Sequence, residues 1–423
     1  MKKRKYFVVI LLITFIVFGA FKQQHFFARD EISSELDSIK LQDPIKKPLE
    51  IAGVIEKFDS LISLELKKSG AVGGAVAITY KNQIAYQKCF GVQRAGTKDS
   101  INKNTIFRLA SVSKTVTGVL AGILSDEKTI DLDDKVVNYL PDFRLKNKTH
   151  TNLLSVRNLL SHTTGVVPHA YDDLVEHHVP LKTIISRFDR AGETSEPGRI
   201  YAYQNVLFSL IDTILRVKTS KSYAEFAEEK LFQPYGMYDA STDFESFKQS
   251  KNKAYPHSAI AKGKYAPTRL NDRYYSTAPA AGVNASISDM TNFLLALSNE
   301  NDNTLNETVH KTVFSPQVRS PLSWRYFRRW DRVDSKHYGI GWRLIGYKGR
   351  QVAYHGGYVH GYKTGIAFCK DDDIGIVFLS NSPNSASSSI IPTFLNLIFE
   401  YNDNRSILTN TEVKSSQPKN SKG

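Results

Sequence analysis

Cysteine is almost missing from this chain. Two thiols, Cys89 and Cys369, in 423 residues make neither a disulfide framework nor a metal cluster. Each falls in a strand-like segment, where a buried free thiol is the expected state. Acidic residues are in deficit too, 42 against 56 Lys and Arg, for a formal charge of +14. That excess favours anionic partners, yet no recognition motif for nucleic acid accompanies it, so nucleic acid is not expected as a partner. The acidic loop at Asp126, Asp131, Asp133 and Asp134 has no histidine pattern beside it, so neither metal nor cofactor is expected. No repeat is visible, and only one long apolar run occurs.

That run, Tyr6 to Phe21 in "MKKRKYFVVILLITFIVFGAF", follows a basic cluster. A charged flank that stays inside and an apolar run that does not are export chemistry. The run is long for a signal peptide and short of the roughly 20 residues a spanning helix needs. Phe18 spoils a cleavage site at Ala20, so cleaved signal and retained anchor both stay open. The expected organisation is a signal or membrane anchor at 1–21, a polar linker at 22–50, a folded domain at 51–402 and a disordered tail at 403–423, too poor in apolar residues to fold. The domain is expected in the cell envelope, outside the cytoplasmic membrane, touching the membrane only through its N-terminal segment.

Within the domain the periodicity changes twice. "GGAVAITYKNQIAYQKCFGVQ" reads as two strands around a turn at Lys81 and Asn82, and "QVAYHGGYVHGYKTGIAFCKDDDIGIVFLSN" reads as three more. From about Ser111 to Leu297 helical spacing dominates. This predicts an α/β (α+β) fold: one antiparallel sheet assembled from both chain ends, flanked by helices, with a helical lobe inserted. The stretch "WRYFRRWDRVDSKHYGIGWRLIGYKGR" alternates aromatics with arginines and reads as an amphipathic wall with solvated arginines.

The segment "FRLASVSKTVTGVLAGIL" puts a lysine where a solvated lysine has no use. Ser111 and Lys114 lie three apart, on one helical face. Desolvation by Val116, Val119 and Leu120 would push Lys114 towards its neutral, proton-accepting form. Other S-x-x-K matches, among them those at Ser100, Ser250 and Ser416, lie in polar surroundings that leave their lysines hydrated. A second element, "EPGRIYAYQNVLFSL", carries Tyr203-Gln204-Asn205 at the head of a helical pattern. Tyr203 can relay a proton, and the Asn205 amide can orient both the lysine and a substrate carbonyl. Tyr80-Lys81-Asn82 repeats the pattern only as a hairpin turn.

A third element requires a choice between His355-Gly356-Gly357 and Lys363-Thr364-Gly365. A strand that lines a hydrolase cleft approaches substrate with bare backbone, which explains glycines, and two strands must follow it. His355 to Gly357 meets both conditions, whereas Lys363 already lies in the next strand. His162, alone in a helix-to-loop passage, is expected to be a structural hydrogen-bonder.

With these elements in order, the chain resembles the serine hydrolase family of class C β-lactamases, DD-peptidases (penicillin-binding proteins) and related esterases, from about Gly73 to Tyr401. The resemblance rests on "FRLASVSKTVTGVL", "LSVRNLLSHTTGV", "PGRIYAYQN", "AAGVNASISDMTNFLLAL", "YGIGW" and "HGG". It implies a cleft between sheet and helical lobe, with Ser111 as acylated nucleophile, Lys114 as its activator, Tyr203 as proton relay and Asn205 as orienting amide. His355 and Gly357 would line the strand beside the substrate, and the backbone N–H groups of Ser111 and Tyr358 would form the oxyanion hole. Two departures matter. The family's lactamases usually carry lysine where His355 stands, and a mostly neutral histidine binds a substrate carboxylate less well, which shifts the expectation towards DD-peptidase or esterase. Gln204, where Ala or Ser is common, adds bulk at the cleft. The expected activity is an acyl-enzyme hydrolase of amide or ester bonds. Cell-wall D-amino-acid peptides rank first as substrates, with peptidoglycan as their polymeric source, then small esters, then β-lactams. The alternative from another class is a non-catalytic penicillin-binding or sensor protein.

Overall fold

The computed structural model describes residues 49–415 except 300, 322–325 and 332. The expected signal or anchor at 1–21, nearly all of the linker and residues 416–423 lie outside the described residues.

Among the described residues, eight strands form one antiparallel sheet. They are β1 (Gly73–Tyr80), β2 (Gln83–Gly91), β3 (Val318–Arg319), β4 (Val333–Tyr338), β5 (Arg343–Tyr347), β6 (Arg350–Val359), β7 (Tyr362–Cys369) and β8 (Ile374–Ser380). Their spatial order is β2-β1-β8-β7-β6-β5-β4-β3. The β1–β2 hairpin turns on Lys81 and Asn82, both at positive φ, the geometry that matches strand twist. It pairs with the last strand, Gly74 opposite Ser380 and Tyr80 opposite Ile374, so both chain ends build the sheet. The fold class expected from the periodicity is the one observed.

The stretch read as an amphipathic wall corresponds largely to β4 and β5, and Arg343, expected to be solvated, is only 6% exposed. Strand β5 is covered on both faces, so no polar alternation betrays it, and its charged residue masks the apolar run.

Helix α1 (Ala52–Ser69) and the final helix, α6 (Ile390–Ser415), cover the outer face of the sheet. Ile55, Phe58, Ile62 and Leu66 recur at helical spacing and meet Val76, Ile78, Ile376, Phe378 and Phe394 in one apolar cluster. The helix continues through 403–415, where the composition had suggested disorder. Its extension is held by ion pairs from Asp403 to Arg350 and from Arg405 to Glu50.

The inner face packs on the lobe through α2 (Ser113–Asp126), α3 (Val206–Thr219), α4 (Ile287–Ser298) and α5 (Glu307–Phe314). Every residue of α2 from Ser113 to Leu124 is buried, as a helix apolar all round must be. Its approach to the Gly339–Trp342 turn depends on glycine. Gly341 has φ +76°, and a Cβ there would lie 2.1 Å from the Lys114 carbonyl oxygen.

Phe58 packs edge-on against Tyr86 and Phe394, with ring centroids 5.7 and 5.5 Å away. Phe58→Ala is expected to lower unfolding free energy by about 3–5 kcal/mol, measured by chemical denaturation, and to leave the lobe-facing side of the sheet intact.

Candidate active site

Ser111 lies in a 3₁₀ turn, Ala110–Val112, leading directly into α2. The residue before it, Ala110, has φ +50°, which costs a residue with a Cβ roughly 1–2 kcal/mol. Strand β6 holds it there. A Cβ on Gly357 would meet the Leu109 carbonyl oxygen at 2.5 Å and Ala110 Cβ at 3.1 Å, so the bare strand lies directly against the Ser111 turn. Gly357 pairs with Thr364, whose hydroxyl donates to the Leu109 carbonyl at 2.7 Å. Lys363 pairs with Tyr358, one residue out of phase, and therefore lies on the opposite face of the sheet. Of the K-T-G triplet, the threonine supports the nucleophile's turn and the lysine faces away. Tyr358 is 63% exposed, at the end of the glycine strand.

Lys114, in the first turn of α2, is wholly buried. Its Nζ donates to Asn205 Oδ1 at 2.7 Å and to the Ala280 carbonyl at 2.9 Å, and stands 4.6 Å from the centroid of the Tyr203 ring. Burial pushes its pKa well below the usual lysine value; the Arg343 charge adds to this and the Asp172 carboxylate opposes it. A neutral amine has two N–H donors and one lone pair. Both donors are committed, which leaves the lone pair to accept a proton.

Burial raises the pKa of Tyr203, and the neighbouring Arg343 and Ser111 hydroxyl offset this only in part, so the resting group is a phenol. Amine and phenol together carry no net charge. The Ser111 hydroxyl bonds Tyr203, whose ring lies against Lys114, an arrangement suited to moving a serine proton to a buried base and a phenol proton to a leaving group.

His355 was expected to line the cleft, but its ring is fully buried. Nε2 lies 2.9 Å from Arg343 Nη1 and 3.2 Å from the Tyr338 hydroxyl. A guanidinium can only donate, so Nε2 accepts and Nδ1–H donates to the Gly356 carbonyl at 2.9 Å. Burial, then Arg343 and Lys114, hold its pKa well below the ordinary histidine value. The ring is a neutral support for Arg343. That guanidinium lies over the rings of Tyr326, Tyr203 and Tyr338, at 5.0, 5.6 and 6.0 Å. Among the described residues it has no carboxylate partner.

His162 is the structural hydrogen-bonder expected: its Nδ1 accepts from the Gln204 backbone N–H at 3.2 Å, and its ring lies 4.3 Å from that of Tyr203. Gln204 does not add bulk to the cleft; it is buried, and its side-chain amide donates to the Val167 carbonyl. Arg343, Tyr338, Asp172 and the Ala280 carbonyl were missed from sequence. Only Arg343 carried a readable signal, a lone charge between Trp342 and Leu344. Among the described residues, no cluster of His, Cys, Asp and Glu could hold a metal ion.

The Beta-lactamase family model matches residues 58–396. Beta-lactamase-like protein 2 of Dictyostelium discoideum is 25% identical over 366 residues, 82% of this chain and 64% of that protein. Protein flp of Staphylococcus aureus (strain N315) is 22% identical over 334 residues, 77% of this chain and 63% of that protein. The chain thus spans under two thirds of the length of these curated relatives. The octameric penicillin-binding protein homologue from Pyrococcus abyssi has a solved structure that aligns with a TM-score of 0.71 and 20% identity, over 82% of this chain and 77% of that one. The two share a fold.

The depressed Lys114 pKa has a sign that can be measured. Between its folded pKa and 10.5 the unfolded chain binds the extra proton, so stability rises with pH across that window. The stability of the native protein relative to Lys114→Met is therefore expected to increase from pH 7 towards pH 10, in parallel denaturant titrations.

Proposed function

Because the chain belongs to the Beta-lactamase family, we propose that it is an exported serine hydrolase that forms an acyl-enzyme on peptides or esters ending in a carboxylate. Cell-wall D-amino-acid peptides are the leading substrate class. Ser111 Oγ attacks the carbonyl carbon while its proton passes to the Lys114 amine. The resulting oxyanion accepts hydrogen bonds from the backbone N–H groups of Ser111 and Tyr358. As the tetrahedral centre collapses, Tyr203 protonates the leaving group and recovers a proton from Lys114. Water then attacks the ester at Ser111, and the same groups act in reverse.

The observation that carries the substrate class is the buried guanidinium of Arg343 beside Tyr203, with no carboxylate partner among the described residues. A cation out of water without a counter-charge is costly, and a substrate carboxylate would supply that charge bidentately. Arg343, supported by neutral His355, thereby takes the place of the cation that a histidine cannot provide. Export is supported by the basic and apolar N-terminal run alone.

Intact mass spectrometry after incubation with a fluorophosphonate, and separately with a penicillin, tests the chemistry. Label is expected on the native protein and absent from Ser111→Ala; label on both would overturn the assignment. A penicillin adduct that persists marks a penicillin-binding protein, and one that disappears marks a lactamase. Arg343→Gln is expected to cut kcat/KM on a carboxylate-ended D-dipeptide ester by roughly 10- to 1000-fold and to change the rate on its neutral amide analogue much less. His355→Ala should follow the same pattern more weakly, while Lys363→Ala should be silent.

A further inference from the structure

We infer that Asp172 is a positioning residue for acylation: its carboxylate fixes which end of the Asn205 amide faces Lys114, and so keeps the lysine lone pair available to Ser111. The inference rests on the acyl-transfer reading above. Asp172 opens a short helix, Asp172–Glu176, 33 residues before Asn205. Its Oδ2 accepts from Asn205 Nδ2 at 2.7 Å and lies 2.8 Å from His169 Nδ1.

An asparagine amide has two ends of almost equal shape and opposite hydrogen-bonding character. Towards Lys114 the two orientations have different consequences. With Oδ1 facing Nζ, as at 2.7 Å here, the amide consumes a lysine N–H. With Nδ2 facing Nζ, the amide would donate into the lone pair and leave Lys114 unable to take the serine proton. An ionised carboxylate only accepts, so Asp172 admits one orientation and excludes the other. A neutral amide at position 172 would admit both. The other oxygen of Asp172, Oδ1, is buried without a hydrogen-bond partner among the described residues.

The charge acts on Lys114 as well, holding protons on it against Arg343. The other titratable groups facing Asp172 are His169 on its own loop, whose ring is 5.3 Å from that of Tyr203, and Tyr274, whose hydroxyl donates to Glu176 at 2.8 Å on the same short helix. Removing the carboxylate charge lets the Lys114 pKa fall further. The limb of the rate profile that follows Lys114 deprotonation then moves to lower pH.

The test is the rate of Ser111 labelling by a fluorophosphonate across pH, in the native chain and in Asp172→Asn. The variant is expected to show a maximal labelling rate lower by about ten-fold or more, an unchanged half-saturating probe concentration, and an acid limb displaced to lower pH. A purely structural role would reduce the labelled fraction and the unfolding temperature with no shift of the limb, and that result overturns the inference. Labelling identical to native also overturns it. Should Asp172→Asn not fold, Asp172→Glu and Asp172→Gln are compared: Glu, still acceptor-only, must label about ten-fold faster than Gln, and equal rates refute the proposal. Absence of label on native Ser111 overturns the acyl-transfer reading itself, a distinct outcome.

Discussion

Lys114 is an amine without water, enclosed by α2, Tyr203 and Phe208, bonded to Asn205 Oδ1 and the Ala280 carbonyl, with a second cation at Arg343 nearby. An ammonium in that position suffers both lost hydration and like-charge repulsion, so the amine gives up its proton. The rest of the site is arranged around that neutral state. Tyr203 stays protonated because burial disfavours a phenolate, and His355 and His162 stay neutral for the same reason. Of the basic groups here Arg343 alone keeps its charge, since a guanidinium does not deprotonate under such pressure.

This division of labour explains the histidine in the glycine strand. Lysine at position 355 would put a second cation beside Arg343, against the neutral amine of Lys114, in a region short of negative charge. A neutral imidazole instead accepts at Nε2 from Arg343, with the Tyr338 hydroxyl 3.2 Å away, and donates from Nδ1 to its own strand, which ties one end of the guanidinium to β6. The buried cation of this site therefore stands on β5 and not on β6.

Two close backbone approaches set the distances among these groups. Gly341 lets the β4–β5 turn touch the Lys114 carbonyl, and Gly357 lets β6 touch Leu109 and Ala110. A methyl group at either position would separate the sheet from the turn and helix that carry Ser111 and Lys114. The sheet tolerates such pressure from the lobe because its other face is backed by α1 and α6. The left-handed Ala110 is strain held at the nucleophile by packing on both sides.

The sequence by itself determined the strands at both chain ends, the buried helix after Ser111, and the serine, lysine, tyrosine and asparagine that meet at the cleft. These are local properties: period, apolar continuity and the misplacement of one lysine are all visible within about fifteen residues. It did not disclose β5, because a strand buried on both faces has no alternation and Arg343 made it look solvated. Nor did it disclose Asp172 or the true surroundings of His355 and Gln204. Lys114 finds its partners 91 and 166 residues away, and a polar side chain's role is decided by what it bonds. Tertiary structure alone makes that choice, because a buried donor or acceptor takes whichever partner packing brings to it, and chain separation carries no record of which one that is.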